Sequence, residues 1–251
     1  MIIDMHTHIR NGWETDEGLD RLESIAARFG ISRVITSMGA GWQHEPTEVQ
    51  VREANDFVLD IAGRRPSFVS AYCYLNPCHA PAFSIEELAR CIAAGCVGIK
   101  LWVACEAHRP ELDPIAEAAA QHNIPILQHA WKKTTGNYAH ESLPEHIAEL
   151  ARRHPRTSFI MAHLGGIWQW GIKAVRALPN VSTDCSGGSP EQGGVAMALR
   201  ELGPQRVLFG SDITGRGFAS QIAKIDALRI PQRTRTLILA GNARRIFRLP
   251  K

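Results

Sequence analysis

The sequence has no run approaching the ~20 apolar residues that a membrane-spanning helix needs. Its first residues lack the basic stretch and long apolar core of a secretory signal, so the cytoplasm is the expected compartment. Its 6 cysteines form no Cys-x-x-Cys pair, which argues against a thiolate zinc site and reads as reduced, mostly buried thiols. A net charge of +3 is too small to point to a nucleic-acid partner. Basic residues thicken only in "PQRTRTLILAGNARRIFRLPK", which reads as the solvated face of a last helix. No Gly-x-Gly-x-x-Gly follows the first apolar strand, which weighs against a nucleotide-binding open sheet. No low-complexity segment or Pro/Gly/Ser linker divides the chain, so one domain over residues 1–251 is expected.

What remains is the make-up of a globular protein, with 45% hydrophobic and 21% charged residues in a chain of 251. Short apolar strands alternate with amphipathic stretches from end to end. The strands are "IIDMHTH", "RVITS", "SFVSAYCYL", "CVGIKLW", "IPILQHA", "TSFIMAH", "NVSTDCS" and "RVLFGSD". Helical spacing predicts helices near 16–29, 46–63, 112–121, 142–153, 167–177 and 190–201, with further helix after the last strand. In the first, Leu19, Leu22, Ile25, Ala26 and Phe29 mark the inner face; in the second, Val49, Phe57, Val58 and Ile61 do. A third is expected to start at Ser84 as N-cap, with Glu87 completing a capping box, and to stop at Gly95. Strand–helix alternation means parallel βαβ units, and eight of them in a chain this long favour a closed (β/α)8 TIM barrel.

In such a barrel the chemistry gathers at the C-terminal ends of the strands. His6 and His8 end strand 1, His129 ends strand 5, His163 strand 6 and Asp212 strand 8. Any one of these alone reads as an ordinary strand-end residue, and Asp212 alone as a helix cap. Five on four strands, all at the same end, read as a site. Residues i and i+2 share a strand face, so His6 and His8 point the same way and one cation can bridge them. Imidazoles with a carboxylate suit Zn²⁺ first, then Fe²⁺ or Mn²⁺. Asp212 is then placed to take a proton from an attacking water, and His163 to orient that water or polarise the substrate. Lys100 shares a face with Gly98 and Trp102. It is either carboxylated between two metals, paired with a substrate anion, or a structural lysine. Asp184 either orients a ligand histidine or caps the loop that follows it. Asp4 shares the face of His6 and His8 and is expected as a structural residue below them.

These segments together resemble the amidohydrolase superfamily, and within it the amidohydrolase family 2 group. "IDMHTH", "GIKLW", "IPILQHA", "IMAHLGG", "LFGSD" and "LILAGNARRIF" occur in family order over nearly the whole chain. The resemblance implies a distorted (β/α)8 barrel with a divalent metal, usually Zn²⁺, as one ion or two. It implies His6, His8, His129 and Asp212 as ligands of one metal. His163 is then the catalytic strand-6 histidine, or a ligand where a second metal binds, and Lys100 a carboxylated bridge in two-metal relatives.

Substrate contacts are expected from the loops: Arg10 and Trp13 after strand 1, Trp42 and His44 after strand 2, and Trp131, Lys132, Lys133 and Tyr138 after strand 5. Arg216 follows strand 8. Their cationic and aromatic character points to a small anionic substrate, a carboxylate or a lactone. The leading expectation is hydrolysis of an amide, ester or lactone; the alternative is non-oxidative decarboxylation of a small unsaturated or aromatic acid. A barrel that binds metal or ligand without catalysis is the alternative of another class. Neither a membrane nor a nucleic-acid partner is expected, and a homo-oligomer is left open.

Overall fold

Eight strands run parallel and pair in sequence order: β1 (Ile2–Thr7), β2 (Ile31–Thr36), β3 (Val69–Leu75), β4 (Gly98–Leu101), β5 (Ile126–Gln128), β6 (Phe159–Met161), β7 (Val181–Asp184) and β8 (Val207–Leu208). Helices α1 (Asp16–Arg28), α2 (Glu48–Arg64), α3 (Pro81–Ala93), α4 (Asp113–His122), α5 (Pro144–Arg153), α6 (Trp168–Val175), α7 (Gln192–Leu202) and α8 (Phe218–Asp226) follow the strands in turn. Two short helices, α9 (Gln232–Thr236) and α10 (Asn242–Ile246), end the chain. This is a (β/α)8 TIM barrel, seen in a computed structural model that describes residues 1–39, 42–188 and 191–250. The expected start of a helix at residue 190 lies outside the described residues.

The barrel closes by sparse backbone bonds instead of a full ladder. Met5 N donates to Phe209 O at 3.1 Å, Asp212 N to His6 O at 2.8 Å and His8 N to Ile213 O at 2.5 Å. Inside the barrel, Ile3, Met5, Ile35, Tyr72, Leu127, Ile160 and Leu208 pack against Ala243, Phe247 and Leu249 of the C-terminal segment. That plug keeps water from one end of the barrel and leaves the other for polar side chains. A second, larger cluster lies between the strands and the helices and includes Leu19, Val58 and Ile147.

Several expected boundaries move, each for a local reason. The Ser84 capping box is not formed: α3 starts at Pro81, whose fixed φ suits the first helical turn. Ser84 and Glu87 are buried within the helix instead. On α2 the inner face is Val51, Ala54, Asn55, Val58 and Ile61, while Val49 is 64% exposed. Phe29 ends α1 38% exposed, outside the Leu19, Leu22, Ala26 core face. Strand β6 stops at Met161 because His163 and Leu164 adopt left-handed φ values of 59° and 53°. Simple alternation puts Asp4 on the face of His6 and His8, but Ile3 and Met5 join the inner cluster. The register of β1 on β2 shifts between Asp4 and Thr7, which re-aims the residues that follow.

Candidate metal centre

His6, His8, Lys100, His129, His163 and Asp212 all line one cavity of about 510 Å³ at the C-terminal ends of the strands. Donor atoms of His6, His8 and Asp212 lie within 4.8 Å of one another. A second such group joins His6, His163 and Asp184. His8 Nε2 is 3.5 Å from Asp212 Oδ1. The imidazole centroids of His6 and His163 are 4.9 Å apart, and those of His129 and His163 are 5.0 Å apart.

Each of these imidazoles has one ring nitrogen tied to a buried partner. His6 Nδ1 meets Asp184 Oδ2 at 2.8 Å, and His8 Nδ1 meets the Ser37 carbonyl at 2.8 Å. His129 Nε2 meets Glu141 Oε1 at 2.8 Å. His163 Nδ1 is 3.0 Å from Ser186 Oγ, whose own proton is directed to Asp184 Oδ1 at 2.6 Å. Carbonyl and carboxylate oxygens only accept, so these ring nitrogens carry the protons. The opposite nitrogens are then left with lone pairs, the form a metal ion takes. His6 Nε2 uses its lone pair on Lys100 Nζ, 3.1 Å away.

Burial and neighbouring charge keep the imidazoles neutral. Burial first, and then the charges of Lys100 and His129, hold His6 well below the usual histidine range. Burial, His6 and Lys100 do the same for His8, and burial, His6 and His129 for His163. Burial also lowers His129, against the pull of Glu141. Burial pushes the Lys100 amine down to about 8, although Asp184 and Asp212 pull it upward. Asp212 is pushed up to about 6 by burial, opposed by Lys100. Nitrogen lone pairs with an adjacent carboxylate are a donor set that fits a divalent cation.

Asp184 does both things the sequence left open. One oxygen holds His6, and the other accepts from His163 N at 3.0 Å and Ser186 N at 2.9 Å. Asp4 lies buried beneath, its Oδ1 accepting from Ser211 N at 2.9 Å and His6 N at 3.3 Å. Burial pushes its carboxyl up to about 7.

The loop residues divide. Trp131 lines the cavity and stacks 4.7 Å from His163. Trp42, His44, Lys133, Tyr138 and Arg216 line it too. Arg10 lies over the Trp42 ring at 4.1 Å, and its buried Nε has no partner among the described residues. Trp13 is not brought to the cavity; it packs on the core with Arg21 over its ring. Lys132 faces a neighbouring cavity and sits over Trp170, 3.5 Å from Glu145. Three participants escaped the strand-end reading. Trp102 was visible only as a face-mate of Lys100, while Glu141 and Ser186 lie in loops, where no periodicity marks a side chain's direction.

The sequence matches the family described as Amidohydrolase over residues 3–249. The chain belongs to this amidohydrolase family. No curated protein is significantly similar to it in sequence. Among solved structures, it resembles 2,6-dihydroxybenzoate decarboxylase from Rhizobium, with a TM-score of 0.79 and 18% identity over 98% of each chain. It also resembles 5-carboxyvanillate decarboxylase from Sphingomonas paucimobilis, with a TM-score of 0.76 and 16% identity over 99% of each. A third is dihydroxybenzoic acid decarboxylase from Polaromonas, solved with manganese and 2-nitroresorcinol, at TM-score 0.77 and 17% identity over 100% of this chain and 97% of that chain. At these identities the likeness establishes the shared barrel.

Proposed function

We propose that this protein is a metal-dependent hydrolase that cleaves an amide, ester or lactone bond of a small anionic substrate. The observation that carries this reading is the anchoring of four imidazoles at one ring nitrogen each, with donor atoms of His6 and His8 gathered beside Asp212. His6, His8, His129 and Asp212 would hold one ion, and the nitrogen-rich set favours Zn²⁺. A divalent cation bound there supplies Lewis acidity, polarising a carbonyl and making water a nucleophile near neutral pH. Lys100 and His163 complete the set if two ions bind, with the buried amine as the group that would be carboxylated.

The chain's own residues supply proton transfer and positioning. Asp212, facing the cavity beside His8, takes a proton from the attacking water and returns it to the leaving group. His163, fixed by Ser186, presents an unprotonated Nε2 that accepts a hydrogen bond from the attacking water and orients it. Trp42, Trp102, Trp131 and Tyr138 wall the cavity and exclude water. Arg10 and Arg216 offer positive charge to a substrate anion, and both act on the carboxyl of Asp212. Lys133 is less available, since it is bound to Glu141.

The similarity to three decarboxylases favours a second reading. There, the protonated carboxyl of Asp212 would deliver its proton to the ring carbon as the carbon–carboxylate bond breaks and CO₂ leaves. A panel of lactones, carboxylated amides and hydroxylated aromatic acids, followed both by acid release and by CO₂ release, decides between them. Acid release without CO₂ supports hydrolysis, CO₂ release from aromatic acids replaces it with the second reading, and turnover of neutral amides alone removes the anionic substrate.

A further inference from the structure

Three of the four anchors belong to the barrel's own frame or its tight strand-end turns: Asp184 on β7, Ser186 two residues beyond it, and the Ser37 carbonyl directly after β2. Glu141 is different. It sits near the far end of the connection between β5 and α5, the same segment that carries Trp131, Lys133 and Tyr138 into the cavity. Its side chain is fully buried, yet it gathers donors from three residues of the segment. Lys133 Nζ donates to both oxygens at 2.8 and 2.7 Å, Asn137 Nδ2 to Oε2 at 2.9 Å and Tyr138 N to Oε2 at 3.1 Å. Asn137 also donates to the Trp131 carbonyl and accepts from Lys133 N at 3.2 Å. Lys133 in turn lies 3.9 Å from the centre of the Tyr138 ring. One carboxylate thus holds the segment closed and binds His129 Nε2 at 2.8 Å.

We propose that Glu141 is a positioning residue that couples the substrate segment 131–141 to the metal site through the tautomer of His129. Resting on the metal-dependent reading above, it goes beyond it in giving Glu141 the task of fixing the His129 ring from the substrate segment. The carboxylate accepts only, so its bond keeps the His129 proton on Nε2. A carboxylate behind a ligand histidine fixes the ring and raises its basicity, and losing it weakens metal binding about 10–100-fold. The second consequence is reciprocal: whatever orders the segment favours the metal, and the metal favours the ordered segment by the same factor. Substrate-facing Trp131 and Tyr138 are therefore set in place more firmly in the metal-loaded protein.

The test uses the full chain with Glu141→Leu and Glu141→Gln, each checked for native unfolding temperature. Zn²⁺ affinity is measured by competition with a chelator, the His129 tautomer by ¹⁵N NMR of the ring, and order in residues 131–141 by hydrogen exchange. For Glu141→Leu, we expect Zn²⁺ binding weakened 10–100-fold, loss of the Nε2–H signature and faster exchange in the segment. Glu141→Gln keeps an acceptor oxygen and is expected to retain the tautomer with a smaller loss of affinity. In the unsubstituted protein, Zn²⁺ should slow exchange in 131–141. Native Zn²⁺ affinity in a folded Glu141→Leu overturns the proposal, as does faster exchange with tautomer and affinity both unchanged, which marks a merely structural role. An unsubstituted protein that takes up no Zn²⁺ overturns the metal reading itself, an outcome distinct from equal binding by the two proteins.

Discussion

A methyl group added at Gly187 would lie 2.6 Å from His163 Nδ1, and the residue has φ of +64°. Two constraints therefore meet at one position. The left-handed backbone costs a non-glycine residue about 1–2 kcal/mol, and the contact would push His163 off Ser186. Gly187→Ala is expected to lower the unfolding temperature by a few degrees, yet cut turnover at least about tenfold because the ring is misplaced. Turnover measured beside thermal unfolding checks this; unchanged turnover would show that His163 tolerates displacement. At this scale the strand-end histidines were legible because spacing along a strand dictates direction. Ser186 and Glu141 were not, because each meets its histidine through a loop. Ser186 lies 180 residues from His6, and Glu141 lies 12 from His129 across an irregular turn.

Asn55 and Glu87 join three elements at one buried point. Asn55 Nδ2 donates to Glu87 Oε1 at 2.8 Å and to the Tyr74 carbonyl at 3.0 Å, and its Oδ1 accepts from Tyr74 N at 2.7 Å. Arg90 donates to both Glu87 oxygens, at 2.7 and 2.9 Å. The pair thus ties α2 to β3 and to α3. Burial raises the Glu87 carboxyl, but hydrogen bonds from Arg90 and Asn55 outweigh it and hold the group below the usual glutamate range. A depressed folded value means that the stabilisation is fully present above the unfolded value. It is lost as pH falls through the folded one. Glu87→Ala is expected to cost about 2–4 kcal/mol near neutral pH, measured by urea unfolding. The gap between variant and unsubstituted protein should narrow as the solution is acidified below the usual glutamate range. The same residues explain why α3 was misplaced from sequence. Ser-x-x-Glu reads as a capping box, but here the pair faces inward and Pro81 sets the start. Strand and helix identities survived such errors because alternation of short apolar runs with amphipathic ones does not depend on any one cap.

The whole barrel was legible because eight βαβ units impose one order and one active end. Closure too was expected, but not the bonds that make it, since those between β1 and residues 209–213 follow no pattern in side chains. Nor was the C-terminal plug, where Phe247 packs edge-on to Tyr72 at 5.7 Å between ring centroids, at the end of the barrel away from the metal centre. Phe247→Ala should therefore cost about 3–5 kcal/mol of stability while leaving metal content unchanged. Equal losses of both would mean that the two ends of the barrel are not independent. Among the described residues no helix is long and apolar enough to cross a membrane.

Metal content of the purified protein, compared with that of His8→Ala at matched folding, bears most directly on the convergence of strands β1, β5, β6 and β8. His8 supplies the nitrogen nearest Asp212, so its loss should remove the ion without unfolding the barrel. About one or two equivalents of divalent metal are expected in the unsubstituted protein, with a drop to less than a tenth of that in the variant. A folded, unsubstituted protein that holds no stoichiometric metal, even after incubation with Zn²⁺ or Mn²⁺, would contradict it.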